Sequence, residues 1–284
     1  MIIVIDSGST KADWIVVPSD GSEQYLVSTM GFNPFFHDED RIVEELSKDF
    51  VNHVPVAQIE KVFFYGAGCS DEAHCQIIHR GLERIFTKSV IYVEHDLLAS
   101  ARATCGNSPG IACIIGTGSN TCSYDGKKIT DNVTNLGYLV GDEGSGSWLG
   151  KLLVRSYFYR EMPNDLKLVF EEEYGSGEEA RLKIINQIYG DAPNVYLASF
   201  AKFMVENKEH SLINSLIFNA FDELVCRHVL KYENHAQVLI HFVGSIAFHL
   251  QDILKNVLEK RGLTLGNVIR KPVENLVNYH LSNN

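Results

Sequence analysis

Two short stretches carry the side chains and backbone best suited to chemistry. Asp6-Ser7-Gly8-Ser9-Thr10-Lys11 follows the apolar run Ile2-Ile3-Val4-Ile5. In the second half, Gly116-Thr117-Gly118-Ser119-Asn120 follows Ile111-Ala112-Cys113-Ile114-Ile115. An apolar run that stops at a small polar turn reads as a buried strand entering a tight loop. Each loop then re-enters an apolar segment and soon meets an Asp-Gly hairpin signal, at Asp20-Gly21 and at Asp125-Gly126. The N–H and hydroxyl groups of such loops suit an anion such as a nucleotide's phosphates. Gly8, Ser9, Thr10 and Lys11 are therefore candidate phosphate contacts in the first loop, and Gly116, Thr117 and Gly118 in the second. A single loop of this kind serves equally well as a plain connector. The repetition, with an acid closing the first strand, favours two jaws of one ligand site.

The carboxylates complete the chemistry. Asp6 ends a strand inside a loop of donors, and a carboxylate beside phosphates is repelled unless a cation intervenes. Mg²⁺ meets one or two carboxylates plus phosphate oxygens and keeps several waters. The alternative for Asp6 is a turn cap. Asp96 stands where Val90-Ile91-Tyr92-Val93 gives way to Leu97-Leu98-Ala99-Ser100-Ala101. It suits the helix N-cap, and the carboxyl edge of an α/β sheet is also where a general base belongs. Asn33, Asn120 and Asp142 are the polar residue types that hold sugar hydroxyls. Asp142 and Glu143 serve equally as caps for the helix around Trp148.

These residues need a scaffold, and the hydrophobic pattern supplies one. Three antiparallel strands are expected at Ile2–Ile5, Trp14–Val17 and Tyr25–Ser28. Helix at 41–50, strand at Val62–Tyr65, helix at 71–86, strand at Val90–Val93 and a helix from Leu97 follow. Helices between the later strands imply parallel pairing, hence an α/β layered domain. Gly106-Asn107-Ser108-Pro109-Gly110 is the best linker candidate. The second half restarts with β-β-β, passes a long glycine-rich turn over 135–147, and becomes largely helical between Trp148 and Phe221. A helix over 216–230, a strand at Val238–Val243 running into Gly244-Ser245, a helix from Ile246 to about Lys260 and a short final helix at Glu274–His280 complete it. That last helix is expected to pack back on the first domain. The expected domains are 1–108, joined by 270–284, and 109–269.

Composition narrows the function classes. The chain has 284 residues, 45% hydrophobic and 21% charged, with a formal net charge of −11. So acidic a surface argues against non-specific binding to nucleic acid or anionic membrane. Cys69, Cys75, Cys105, Cys113, Cys122 and Cys226 form no Cys-x-x-Cys, and several lie in apolar runs. They read as reduced core residues of a cytoplasmic protein rather than as zinc or iron–sulfur ligands. No His-Glu-x-x-His, Walker or Rossmann pattern occurs. No signal peptide or membrane span is expected.

With these motifs assembled, the chain resembles the BadF/BadG/BcrA/BcrD ATPase family of the acetate and sugar kinase/Hsc70/actin superfamily. The resemblance spans nearly the whole length. It rests on Asp6 to Thr10, Asn33 in its loop, Asp96 after its strand, Gly116 to Asn120, Gly141-Asp142-Glu143-Gly144-Ser145, and Val243-Gly244-Ser245. It implies two ribonuclease H-like (actin-like ATPase) domains, each opening with a β-β-β unit, around a central cleft. The implied activity is ATP-dependent phosphorylation of a small-molecule sugar, in particular N-acetylglucosamine at O6. Asp96 would take the hydroxyl proton, and Asn33, Ser119, Asn120, Asn135, Gly137 and Asp142 would hold the sugar. Thr10 and Thr117 would reach phosphates, Asp6 would meet Mg²⁺ directly or through water, and Gly244-Ser245 would pass under adenosine. A homodimer is common in such proteins. Relatives often carry Gly-Trp-Gly where this chain has Asn135-Leu136-Gly137, which bears on the sugar's identity. Glucosamine, N-acetylmannosamine or a muramyl sugar remain alternatives. So do an iron–sulfur activator ATPase of the same family and a sensor that binds without turnover.

Overall fold

The computed structural model describes residues 1–8, 11–18 and 24–283, with the Asp49 side chain also outside the description. Ser9, Thr10 and the Asp20-Gly21 signal therefore lie outside the described residues. The chain divides into two compact units. One comprises Met1–Asn107, Gly126–Lys128 and Lys271–Asn284; the other comprises Ser108–Asp125 and Ile129–Arg270.

The first unit opens with strands β1 (Ile2–Ser7), β2 (Lys11–Val17) and β3 (Tyr25–Met30). Helices α1 (Glu39–Glu45) and α2 (Val51–His53) flank a π-helical turn at Leu46–Phe50. Strand β4 (Lys61–Gly66), helix α3 (Glu72–Glu83), strand β5 (Val90–His95) and helix α4 (Asp96–Cys105) follow. The sheet order is β3-β2-β1-β4-β5. The first three strands pair antiparallel, and β1, β4 and β5 run parallel. The β1 and β4 residues read as near-continuous apolar runs because both faces are covered. Trp14 anchors the core: its ring lies 4.5 Å from Phe50 and 6.2 Å from Phe32, and its indole N–H donates to Thr29 Oγ1 at 2.8 Å.

The second unit repeats the topology. Strands β6 (Gly110–Ile115), β7 (Ser119–Tyr124) and β8 (Ile129–Asp131) pair antiparallel. Eight helices follow: α5 (Gly137–Val140), α6 (Gly146–Phe158), α7 (Asn164–Tyr174), α8 (Gly177–Ile188), α9 (Pro193–Ser199), α10 (Ala201–Glu206), α11 (Ser211–Arg227) and, beyond strand β9 (Leu239–Val243), α12 (Ser245–His249). Helix α13 (Gln251–Lys260) and strand β10 (Leu265–Ile269) complete this unit. Its sheet order is β10-β9-β6-β7-β8, with β6, β9 and β10 parallel. The core joins β6 and β9 to α6, α11 and α13. The C-terminal helix α14 (Val273–Asn283) belongs to the first unit, where it packs on α4, β1 and β2.

The α/β class with two β-β-β openings is thus observed. Several local expectations change. The glycine-rich stretch after β8 contains a helical turn, α5, rather than loop throughout. The helix expected from Ile246 to Lys260 breaks at Leu250, whose φ of −115° interrupts the helical ladder. The helix expected over 216–230 runs Ser211–Arg227. Strand β10 has no clear signature in sequence, because Gly266 and Asn267 interrupt its apolar pattern. It forms because β9 offers a parallel edge and the Asn267 N–H donates to Nδ1 of buried His241 at 3.0 Å. None of the six cysteines forms a disulfide, and Cys69, Cys105, Cys113 and Cys122 are buried. Among the described residues, no helix is long and apolar enough to cross a membrane.

Candidate active site

In the first unit, the parallel strands deliver their carboxyl ends to one sheet edge. Asp6 is the penultimate residue of β1, beside Tyr65 of β4 and opposite Asp13 of β2. Gly8 follows, its N–H donating to the Lys11 carbonyl at 3.0 Å to close the turn. Ser7 Oγ accepts from the Phe32 N–H at 2.8 Å, which brings the Asn33 loop against this turn. Asn33 is buried, and its Oδ1 accepts from the Phe35 N–H at 3.0 Å in an Asx turn. Two strands away, about 10 Å by ordinary strand spacing, Asp96 opens α4.

The N-cap of α4 is not Asp96. His95 takes that position: its Nδ1 accepts from the Leu97 N–H at 2.9 Å, and Asp96 becomes the first helical residue. Asp96 Oδ1 lies 2.8 Å from the same Nδ1, which accepts from Leu97 when unprotonated and donates to Asp96 when protonated. A strand that stays extended through His95 leaves the ring, not the carboxylate, aimed at the free helix N–H. The Asp96 carboxylate is therefore relieved of capping and half-exposed. Burial works against charge on the His95 ring, but the hydrogen bond and charge of Asp96 together outweigh it and hold the ring above its usual range. Asp6 behaves differently. Burial, then the charges of Asp96 and Asp13, push its carboxyl up to about 7, with Lys271 opposing. That shift marks a pocket short of positive charge.

Asp13 and Lys271 were not legible as part of this edge. Asp13 is buried, with Lys11 Nζ 2.8 Å and Lys271 Nζ 2.5 Å from its carboxylate and Ser28 Oγ donating at 2.9 Å. Lys11 thus carries an ion pair with Asp13 at this edge. The only sequence signal was a carboxylate inside the apolar run of β2.

In the second unit, the Gly116–Gly118 turn joins β6 to β7 and abuts the start of α6. Gly146 N–H donates to the Gly116 carbonyl at 2.8 Å and Ser147 N–H to the Thr117 carbonyl at 3.0 Å. Ser145, not Asp142 or Glu143, caps α6, its Oγ accepting from the Trp148 N–H at 3.2 Å. On the neighbouring parallel strand, Gly244 begins the turn into α12 at Ser245. Its φ is +124°, and a Cβ there would lie 2.1 Å from the Ile115 carbonyl oxygen, so only glycine lets the two strand ends meet so closely. The exposed Thr117 turn and the Gly244-Ser245 turn therefore share the carboxyl end of this sheet, where α/β sheets bind ligands.

Asp142 organises the polar cluster beside that turn. It is buried at a φ of +62°, and its Oδ1 accepts from the Ser119 N–H at 3.0 Å and Asn135 Nδ2 at 2.8 Å. Asn135 Oδ1 in turn accepts from the Gly137 N–H at 2.6 Å. Ser119 Oγ donates to the Glu143 carbonyl at 2.9 Å. Asn120 lies alongside, its Oδ1 accepting from Thr121 N–H and from Asn132. The fold therefore brings Ser119, Asn135, Gly137 and Asp142 into one network. Glu143 points elsewhere: its carboxylate meets buried His228 at 3.2 Å and Arg227 at 3.4 Å. Neither partner was apparent in sequence, being over 80 residues away.

No family model matches the chain. Solved structures do. It aligns with a provisionally named N-acetylglucosamine kinase from Porphyromonas gingivalis at 40% identity, covering 100% of this chain and 99% of that one, with a TM-score of 0.91. A second provisionally named N-acetylglucosamine kinase, from Chromobacterium violaceum, matches at 16% identity over 98% of each chain, TM-score 0.73. A ROK family glucokinase from Streptomyces griseus, solved with glucose and AMPPNP, matches at 16% identity over 98% of this chain and 97% of that one, TM-score 0.51. The latter two are likenesses of fold.

Proposed function

The chain belongs to the family of the Porphyromonas gingivalis protein, the N-acetylglucosamine kinase-like sugar kinases of actin-like fold, and we propose that it transfers the γ-phosphoryl group of ATP to O6 of N-acetylglucosamine. Within that grouping we assign it to the BadF/BadG/BcrA/BcrD family, on the motifs around Gly116 and Asp142. The observation that carries the reading is the sheet edge of the first unit. A half-exposed carboxylate, Asp96, opens a helix after β5, and a second carboxylate, Asp6, ends β1 on the same edge.

In this reading Asp96 accepts the proton of the sugar's 6-hydroxyl as the oxygen attacks phosphorus. A positioned base of this kind contributes about 10²–10⁴-fold to rate. Asn33, Ser119, Asn120, Asn135, Gly137 and Asp142 hold the sugar, with the Asp142 network preset so that little ordering remains on binding. The phosphates are assigned to Gly8, Ser9, Thr10, Lys11, Gly116, Thr117 and Gly118, and the adenosine to Gly244-Ser245.

The family implies Mg²⁺. Among the described residues no group of three or more His, Cys, Asp or Glu forms a closed metal cage. Mg²⁺ needs none, since it retains waters and takes phosphate oxygens alongside one or two carboxylates. The Asp6 carboxyl, raised by burial and by Asp96 and Asp13, fits such an ion. When bound, the ion neutralises phosphate charge.

The test is a coupled ADP-release assay with ATP and Mg²⁺ across N-acetylglucosamine, glucosamine, N-acetylmannosamine, N-acetylmuramic acid and glucose. N-acetylglucosamine should give the highest kcat/KM, with the 6-phosphate identified by NMR. Turnover of none of these sugars would overturn the proposal.

A further inference from the structure

Beside the Asp142 network, the second unit holds a cavity of about 440 Å³ that the proposed reaction does not use. It opens between α5, α6 and the ends of α8 and α9. Its walls are apolar and aromatic: Tyr138 and Leu139 on one side, Trp148 on α6, and Leu197 behind. Two cations stand on α6 one turn apart, Lys151 and Arg155, and both line it. Among the described residues no acidic side chain does.

The cations are placed differently from the rest of the surface. The chain carries a formal net charge of −11, and most of its described lysines and arginines lie against carboxylates. Lys151 instead lies over two rings, 5.3 Å from Trp148 and 5.7 Å from Tyr138, and donates to the Tyr138 carbonyl. Arg155 lies 6.0 Å from the Tyr159 ring. The carboxylates whose charge acts on Lys151 are Asp142 and Glu143. Both are already engaged, Asp142 by Ser119 and Asn135, Glu143 by His228 and Arg227. Burial lowers the Lys151 pKa, as expected of an ammonium partly stripped of water without a full counter-charge.

An apolar chamber of this volume is in the range that takes small organic ligands. Two cations at its wall, within an otherwise acidic protein, select the sign of the ligand's charge. We infer that this cavity binds a small organic anion with an apolar, ring-bearing body, its acid group on Lys151 and Arg155 and its ring against Trp148 and Tyr138. Such a ligand would also touch the catalytic reading indirectly, because α5 is tied to the Asp142 network through the Asn135 Oδ1 contact with Gly137. The binding claim itself does not depend on the proposed reaction.

The probe is 1-anilinonaphthalene-8-sulfonate, compared with its uncharged parent N-phenyl-1-naphthylamine, titrated into the full chain and followed by dye fluorescence and by energy transfer from tryptophan. The sulfonate should bind saturably at one site. Lys151→Met and Arg155→Met, which keep apolar stems, should each weaken it about tenfold, the order expected for losing one charge-assisted contact. The neutral dye should bind at least tenfold more weakly and ignore both substitutions. Leu139→Trp, at an exposed position on the rim, should block the cavity without altering charge. Absent saturable binding, equal binding of the two dyes, or sulfonate affinity unchanged in the charge variants would each overturn the inference.

Discussion

The docking of α14 should be sensitive to pH through one histidine. His280 is buried, stacked on Phe63 with ring centroids 3.7 Å apart, and its Nε2 lies 2.8 Å from the Tyr65 hydroxyl. Arg102 Nη1 donates to that hydroxyl at 2.7 Å, so the phenol's own proton is directed at His280 Nε2. That arrangement suits the neutral ring. Burial, then the charges of Arg102 and Lys61, lower its pKa from 6.5 to about 4. The unfolded chain binds this proton near pH 6.5 and the folded chain only near 4. Stability from this group is therefore complete above 6.5 and declines as pH falls through that window. The full linkage is about 3 kcal/mol, of which about 2 kcal/mol is lost by pH 5. Asp6 opposes it: its carboxyl, raised to about 7, holds a proton in the fold that the unfolded chain releases, so it adds stability as pH falls. A wild-type curve would mix the two, and a difference separates them. His280→Gln cannot titrate. Urea unfolding at pH 7.5 and pH 5.0 would be measured for both proteins in a Trp148→Phe background, where Trp14 alone reports on the first unit. The stability advantage of wild type should shrink by about 2 kcal/mol between the two pH values. A difference constant within about 0.5 kcal/mol would refute the neutral, charge-flanked histidine.

Three further outcomes follow from the same geometry. Asp96→Asn should reduce sugar-dependent ADP release by about 10²-fold or more while ATP affinity by calorimetry stays near wild type; full activity would remove Asp96 from the role. Gly118→Ala would place a Cβ 2.9 Å from both Asp142 carboxylate oxygens. The displaced carboxylate should cost about 1–3 kcal/mol of stability and raise the sugar KM more than the ATP KM, readable by thermal unfolding and initial rates. Gly244→Ala, at a φ of +124° and against the Ile115 carbonyl, should lose at least about 2 kcal/mol and raise the ATP KM, whereas a variant melting like wild type would show that the strand ends are not so close.

Much of the fold could be read directly. An apolar run ending in small residues is a contiguous signal, and β1, β4, β6 and β9 announce themselves that way, while β5 is an apolar run that stops at Glu94-His95-Asp96. The turns at Gly8, Gly116–Gly118 and Gly244 follow because each is the continuation of its own strand. Asp96 at the end of β5 was equally visible, but its detailed role was not. Whether His95 or Asp96 turns toward the Leu97 N–H depends on where the extended backbone stops, and residue preference does not resolve a single position. Strand β10 shows the same limit, since its pairing is decided by β9 and His241 rather than by its own residues.

The amino-acid order by itself determined where the chain turns and which polar groups those turns expose, because backbone conformation and side-chain size act over a few neighbouring residues. Only the tertiary structure decided what surrounds each polar group. Asp13 meets Lys271, Tyr65 meets His280, and Glu143 meets His228 across separations that no local pattern encodes. Charge and burial are set by those distant segments, so the pKa of Asp6, the neutral state of His280 and the cationic cavity on α6 belong to the folded molecule alone.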